Sequence, residues 1–173
     1  MKPGYFIALC LYFTGLIIRT GYEMLKKAGK VNPKSTILFI FIFLAMCLFW
    51  ISWFAMCPQD PLQLTWPRLV RWIGLGIFLA GLGLAIGGLI QLKGVENIDH
   101  LVITGLFARL RHPMYMGFIC WIFGWAIYNG AAASLIAGFV GIGNIIYWRQ
   151  LEEDHLAKTY GDEYLDYRKQ TWF

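Results

Sequence analysis

A chain of 173 residues that is 58% hydrophobic, 17% aromatic and only 14% charged carries more apolar surface than a soluble domain of that length can bury. This excludes an ordinary soluble enzyme, and the net charge of +5 needs no nucleic-acid partner, because anionic headgroups and the rules of membrane insertion account for it. The expected class is all-α, an integral membrane helical bundle. Tyr5 to Ile18, extended outward through Pro3 and Gly4, is the first span. Thr36 to Cys57 supplies 22 residues without a charge, and roughly 20 helical residues cross a bilayer core of about 30 Å. Trp72 to Leu92 supplies another 21. The G-x-G steps between Gly74 and Gly88 have no strand before them and no Lys-Ser after them. They read as close helix packing through Gly76, Ala80, Gly83 and Gly87 rather than as a phosphate loop.

A polar loop then runs into "RHPMYMG", Arg111 to Gly117, at the mouth of the next apolar segment. A charge at bilayer depth costs about 2.5–3.5 kcal/mol, so an Arg-His pair here is held at the surface or kept for a purpose. Met114 to Trp148 is 35 residues without Asp, Glu, Lys or Arg. Asn129 and Gly130 near its middle suit a tight turn, which predicts two antiparallel helices, about 114–128 and 131–148, and about five spans in all. Beyond Trp148 the sequence turns polar and predicts a tail of two short cytosolic helices broken at Gly161. Leu151, Leu156, Tyr160, Tyr164, Leu165 and Tyr167 are expected to face the protein or the headgroups. Residues 1–173 form a single membrane domain on this reading, with three spans in 1–92 and the loop, helical hairpin and tail in 93–173.

With the N-terminus outside, the inner segments 19–35, 93–113 and 149–173 hold 5, 3 and 4 basic residues, and the outside keeps Lys2, Arg68 and Arg71. This bias puts the Arg-His motif and the tail on the cytosolic side. Cys10, Cys47, Cys57 and Cys120 are scattered through apolar segments and read as buried thiols. His100, His112 and His155 form no i, i+4 pair, so no metal site is expected. No cleavage pattern follows the first helix, which is expected to be retained.

"HLVITGLFARLRHPMYMG", His100 to Gly117, followed some 35 residues later by "EEDHLAKTYGDEYLDYRK", Glu152 to Lys169, resembles the isoprenylcysteine carboxyl methyltransferase family and its phospholipid methyltransferase relatives. Phe107 stands where the family pattern has a tyrosine. The resemblance covers about residues 70–170 and implies methyl transfer from S-adenosylmethionine, with S-adenosylhomocysteine as product. It assigns cofactor binding to Thr104, Gly105, Leu106 and Phe107, to His112, Pro113, Met114 and Tyr115, and to Glu152 and Glu153, without choosing between those two carboxylates. Chemically, His112 and the free N–H groups of a helix opened by Pro113 suit the amino-acid end of the cofactor, and a carboxylate suits its ribose hydroxyls and amino group. Tyr115, one turn beyond Arg111, closes over the adenosine.

One departure bears on the acceptor. The family's carboxyl methyltransferases commonly continue Y-x-x-R-V-P, and the arginine position here holds Gln170. A neutral amide there weakens prenylcysteine as the acceptor, and Arg111 with Arg168, or Lys169 in its place, are the cations expected at the catalytic side. A lipid or small hydrophobic acceptor (carboxylate, amine or thiol) entering from the inner leaflet is the expectation, in a short prokaryotic member of the inner membrane. The competing readings are an NADPH-dependent reductase of sterol-reductase type, opposed by the chain's length, and a non-catalytic membrane subunit or small transporter, opposed by the absence of charges deep in the expected spans.

Overall fold

The computed structural model describes residues 3–32, 35–92 and 101–173. Lys2, Lys34, Lys93 and His100, which entered the reading above, lie outside them. Six helices follow in order: α1 (Pro3–Lys27), α2 (Thr36–Met56), α3 (Arg68–Leu92), α4 (Pro113–Asn129), α5 (Ala132–Tyr160) and α6 (Asp162–Gln170), with short 3-10 turns at Cys57–Gln59 and Gly105–Ala108. Among the described residues the fold is all-α, as expected. Helices α1, α3 and α5, and α2 with its following turn, are long and apolar enough to cross a membrane. The fifth expected span is α4, whose 17 residues reach about 25 Å, the lower limit for a crossing.

Helix α4 runs antiparallel along α3 on a seam of glycines. A Cβ on Gly81 would stand 2.7 Å from the Gly117 carbonyl oxygen, and one on Gly124 would stand 2.7 Å from that of Gly74. On Gly88 it would meet Met114 at 2.8 Å. Backbone touches backbone along this seam, which in lipid supplies the dispersion contacts that hydrophobic burial cannot. The expected stripe of Gly76, Ala80, Gly83 and Gly87 is therefore corrected to Gly74, Gly81, Ala85 and Gly88. Gly76 and Gly83 have nothing within 4 Å, and Gly87 is covered by Leu106. Both stripes lie on the same helix; the seven-residue spacing that meets Gly117 and Gly124 decides which one packs.

Aromatic packing joins α1, α2, α3 and α4. Tyr12, Phe49 and Trp53 are buried together, with the Tyr12 and Phe49 rings stacked at 4.6 Å. Trp50, Phe54, Phe78, Trp121 and Trp125 continue the cluster across α2, α3 and α4, and Trp125 Nε1 donates to the Phe54 carbonyl at 3.1 Å. At the end of the bundle away from the Arg-His motif, buried Asp60 accepts from the Ser134 N–H and hydroxyl and from the Leu62 N–H at 2.7 Å. Its carboxylate thereby caps the start of α5 from a neighbouring segment and meets the positive end of that helix.

Three boundaries differ from the sequence reading or refine it. Helix α1 continues past Ile18 to Lys27, because Arg19 and Glu23 pair one turn apart and Tyr22 is buried. The apolar stretch that follows the motif is broken, as expected, at Gly130, which adopts φ 67° and ψ 28° as the left-handed cap of α4. The tail is not two separate short helices. Its first half is the last three turns of α5, since no breaker stands between Trp148 and Gly161 and the Arg149–Glu153 pair spans the junction. Gly161 does end α5, at φ 54°.

Gly124→Val is expected to overpack the α3–α4 seam at a cost of about 1–3 kcal/mol, lowering the thermal midpoint in detergent. Gly83→Ala, on the open face, leaves the midpoint in place.

Candidate functional site

Chain direction places the ends of α3 and α5 and the start of α4 at one end of the bundle, and the two sequence motifs meet there. His112 is the cap residue of α4 and makes no side-chain capping bond, with Pro113 in the first turn, so the leading N–H groups of the helix are left for another partner. The approach to α4 is anchored twice. Gly105 turns at φ 63° over Gln91, whose Oε1 accepts from the Leu106 N–H at 2.9 Å. The chain's last residues lie alongside, with Arg111 N–H donating to the Trp172 carbonyl at 3.3 Å and Trp172 N–H to that of Arg109 at 3.1 Å.

Glu153 is the electrostatic hub. Its buried carboxylate has Arg111 Nε and His112 Nε2 at 3.3 Å, Arg149 Nε at 3.6 Å and Arg168 Nη2 at 3.7 Å. A carboxylate removed from water is tolerated only with such compensation. Arg111 is also held by the backbone carbonyls of Arg168 and Thr171 through Nη1, and among the described residues its Nη2 has no hydrogen-bond partner. The Arg149 guanidinium lies 4.9 Å from the centre of the Phe173 ring. One carboxylate thus ties the motif loop, α5, α6 and the final segment together.

Above this hub is an open cleft walled by Leu92, Leu101, Val102, Phe107, Arg111 to Tyr115, Glu152, Leu156, Tyr164 and Tyr167. Glu152 stands at its edge, partly exposed, 3.8 Å from His112 Nδ1, and the His112 and Tyr115 rings stack at 5.5 Å. Tyr167 donates to the Phe107 carbonyl at 2.6 Å. Burial pushes the phenols of Tyr164 and Tyr167 up to about 12, the Glu153 carboxylate adding to the shift at Tyr164 and Arg111 opposing it at both, so both stay neutral donors at physiological pH.

Of the residues singled out in the sequence, Phe107, Arg111, His112, Pro113, Met114, Tyr115 and Glu152 come together at this cleft. Thr104, Gly105 and Leu106 are not among its walls; Gly105 and Leu106 pack against Gln91 and Leu106 covers Gly87. Glu153 lies in the hub, and Arg168, half exposed, reaches it from α6. Lys169 is turned to Asp166 at 2.8 Å. Sequence reasoning did not select Leu101, Val102, Leu156, Tyr164 or Tyr167 for the cleft. The Tyr-x-x-Tyr spacing was the available signal for the last two, since it puts both rings on one face of a helix.

The sequence pattern of the phospholipid methyltransferase family matches residues 70–163, more than half of the chain. The chain belongs to that family. Within the wider group it is similar to the protein-S-isoprenylcysteine O-methyltransferase of Schizosaccharomyces pombe, 33% identical over 81 residues, which are 43% of this chain and 32% of that protein. The enzyme of the same name from Dictyostelium discoideum is 26% identical over 132 residues, 72% of this chain and 54% of that one. The methanethiol S-methyltransferase of Pseudomonas deceptionensis is 30% identical over 107 residues, 57% and 40% of the two chains. The matched segments span about a third to a half of these relatives' length. No solved structure matches the chain. The family match runs from α3 into the start of α6 and includes the cleft and its hub; α1 and α2 lie outside it.

Glu153→Gln removes the anion that three guanidinium groups share, and breaking such a buried pair costs about 3 kcal/mol. The expected result is a lower thermal midpoint with faster tryptic cleavage in the tail. Glu152→Gln, at the cleft edge, shifts stability by no more than about 0.5 kcal/mol.

Proposed function

We propose that this integral membrane protein is an S-adenosylmethionine-dependent methyltransferase whose cleft faces the cytosol and whose acceptor is a lipid or small hydrophobic molecule. The observation that carries this reading is the convergence of the two family motifs on one cleft, where an uncapped helix start, an imidazole and a carboxylate face a largely apolar wall.

The donor set suits the cofactor. The leading N–H groups of α4 and the His112 imidazole are donors for a carboxylate. Of the two adjacent glutamates, Glu152 is the one on the cleft and partly exposed, so it can accept from hydroxyl or amino groups, whereas Glu153 is already surrounded by cations. Leu101, Val102, Met114 and Leu156 supply the apolar surface for an adenosine ring, with Tyr115 stacked on His112 to close one side. The bound cofactor supplies a methyl group already activated on sulfonium, so the protein's task is to hold donor and acceptor in line and keep water out.

Arg111 offers the cleft its Nη2, which has no partner among the described residues, with the rest of the guanidinium fixed by the hub and the tail. A group held that firmly meets an anionic oxygen in the cleft without reorganising during reaction. The half-exposed Arg168 adds positive charge on the α6 side. The apolar walls begin at Leu92, the last residue of a membrane helix, which gives an acceptor with an acyl or other hydrophobic portion a continuous path from lipid. The excess of Lys and Arg on the segments at this end of the bundle supports the cytosolic orientation.

Calorimetric titration of the detergent-purified protein with S-adenosylhomocysteine, beside NADPH on the same preparation, tests the reading. Micromolar binding of the former alone is expected, and Glu152→Gln is expected to weaken it at least tenfold, about 1.4 kcal/mol, with an unchanged thermal midpoint. Binding of NADPH alone would replace the methyltransferase with a reductase.

A further inference from the structure

Tyr164 is fully buried, contributes to the wall of the cleft, and among the described residues its hydroxyl has no hydrogen-bond partner. Leaving such a group unsatisfied costs about 1–3 kcal/mol, which a phenylalanine of the same shape would avoid. Tyr167, one turn further along α6, shows what a structural tyrosine does here, since its hydroxyl is spent on the Phe107 carbonyl. The other cleft atom in the same condition, His112 Nε2, at least faces the Glu153 carboxylate at 3.3 Å.

The surroundings say which chemistry the idle donor suits. Tyr164 lies in the field of Arg111, Arg168, Glu153 and Glu152. Arg149 is also on the hub, so among the described side chains three guanidinium groups and two carboxylates gather here. Among the described residues Arg111 Nη2 has no hydrogen-bond partner either. A neutral O–H donor beside guanidinium groups, in a place water does not reach, is a seat for an anionic oxygen, to which an O–H donor bonds about twice as strongly as to a neutral one.

We propose that the Tyr164 hydroxyl, together with Arg111, binds the carboxylate at the amino-acid end of the cofactor. This rests on the cofactor reading given above and adds a ligand from α6 to those offered by α4 and α5. It also gives α6 and the segment after it a purpose in binding: they present one donor and hold a second, because Arg111 Nη1 is bonded to the Arg168 and Thr171 carbonyls.

The test is Tyr164→Phe in the full chain, titrated calorimetrically with S-adenosylhomocysteine and with its decarboxylated analogue, which differs only in lacking the carboxylate. The expected result is affinity for S-adenosylhomocysteine reduced at least tenfold, unchanged affinity for the analogue, and a thermal midpoint equal to or above that of the unaltered protein. Tyr167→Phe, which loses a structural bond, is expected to lower the midpoint and not to discriminate between the two ligands. Unchanged affinity of Tyr164→Phe for S-adenosylhomocysteine overturns the assignment while leaving the cofactor reading intact. Equal weakening of both ligands, or a fallen midpoint with weakening of both, makes Tyr164 a packing residue and also overturns it. If the unaltered protein binds neither ligand, the cofactor reading itself fails and takes this assignment with it.

Discussion

Removing a carboxylate from water costs several kcal/mol unless cations and donors replace the lost hydration, and at Glu153 four basic side chains from three places in the chain meet that need. Arg111 and His112 precede α4, Arg149 lies one turn back on α5, and Arg168 comes from α6. None of these segments is fixed at this end of the bundle by apolar packing alone. The common partner makes their positions mutually dependent, so the cleft above Glu153 inherits its shape from an ion cluster. A buried cluster of this kind is costly to break, which makes it a way of specifying one arrangement.

The depth at which His112 stands is decided separately, by the α3–α4 seam. Glycine facing glycine lets the two backbones touch, and in lipid that close contact is what holds helices together. Because Gly88 meets Met114 at the end of the same seam, the first turn of α4 is seated against the last turn of α3. Helix α1 joins this end of the bundle by other means: Thr20 donates to Asn144 Oδ1 at 2.8 Å and accepts from Trp148 Nε1 at 3.1 Å, while the Arg19 guanidinium lies over the Trp148 and Tyr22 rings. This helix lies outside the family match, yet it grips α5 one turn before Glu152.

Adjacent glutamates on a helix point about 100° apart, and here that difference separates two tasks. Glu153 turns inward to the cations and sustains the site, and Glu152 turns to the cleft. The same division appears in α6, where Tyr167 is engaged with Phe107 and Tyr164 keeps an idle hydroxyl. Each pair couples a group that builds the wall with one that the wall presents.

Much of this was legible in the chain itself. Uninterrupted apolar runs set the membrane class and the positions of α2 and α3, since no other structure satisfies the backbone in lipid. Asn129-Gly130 and Gly161 marked their breaks by the conformations glycine tolerates, and the paired motifs marked His112, Tyr115 and Glu152. What periodicity could not supply was choice among equivalents: which small-residue stripe of α3 packs, whether α5 stops at Trp148 or runs on to Tyr160, and which of Glu152 and Glu153 faces the cleft. The first depends on Gly117 and Gly124 across the seam, the second on the Arg149–Glu153 pair that carries α5 past Trp148, and the third on the cations before α4 and on α6. The sequence by itself determined where helices start and which chemistry gathers at one end of the bundle. Tertiary structure alone decided which side chains are spent on one another and which remain free for a ligand, because that depends on distances and desolvation between segments.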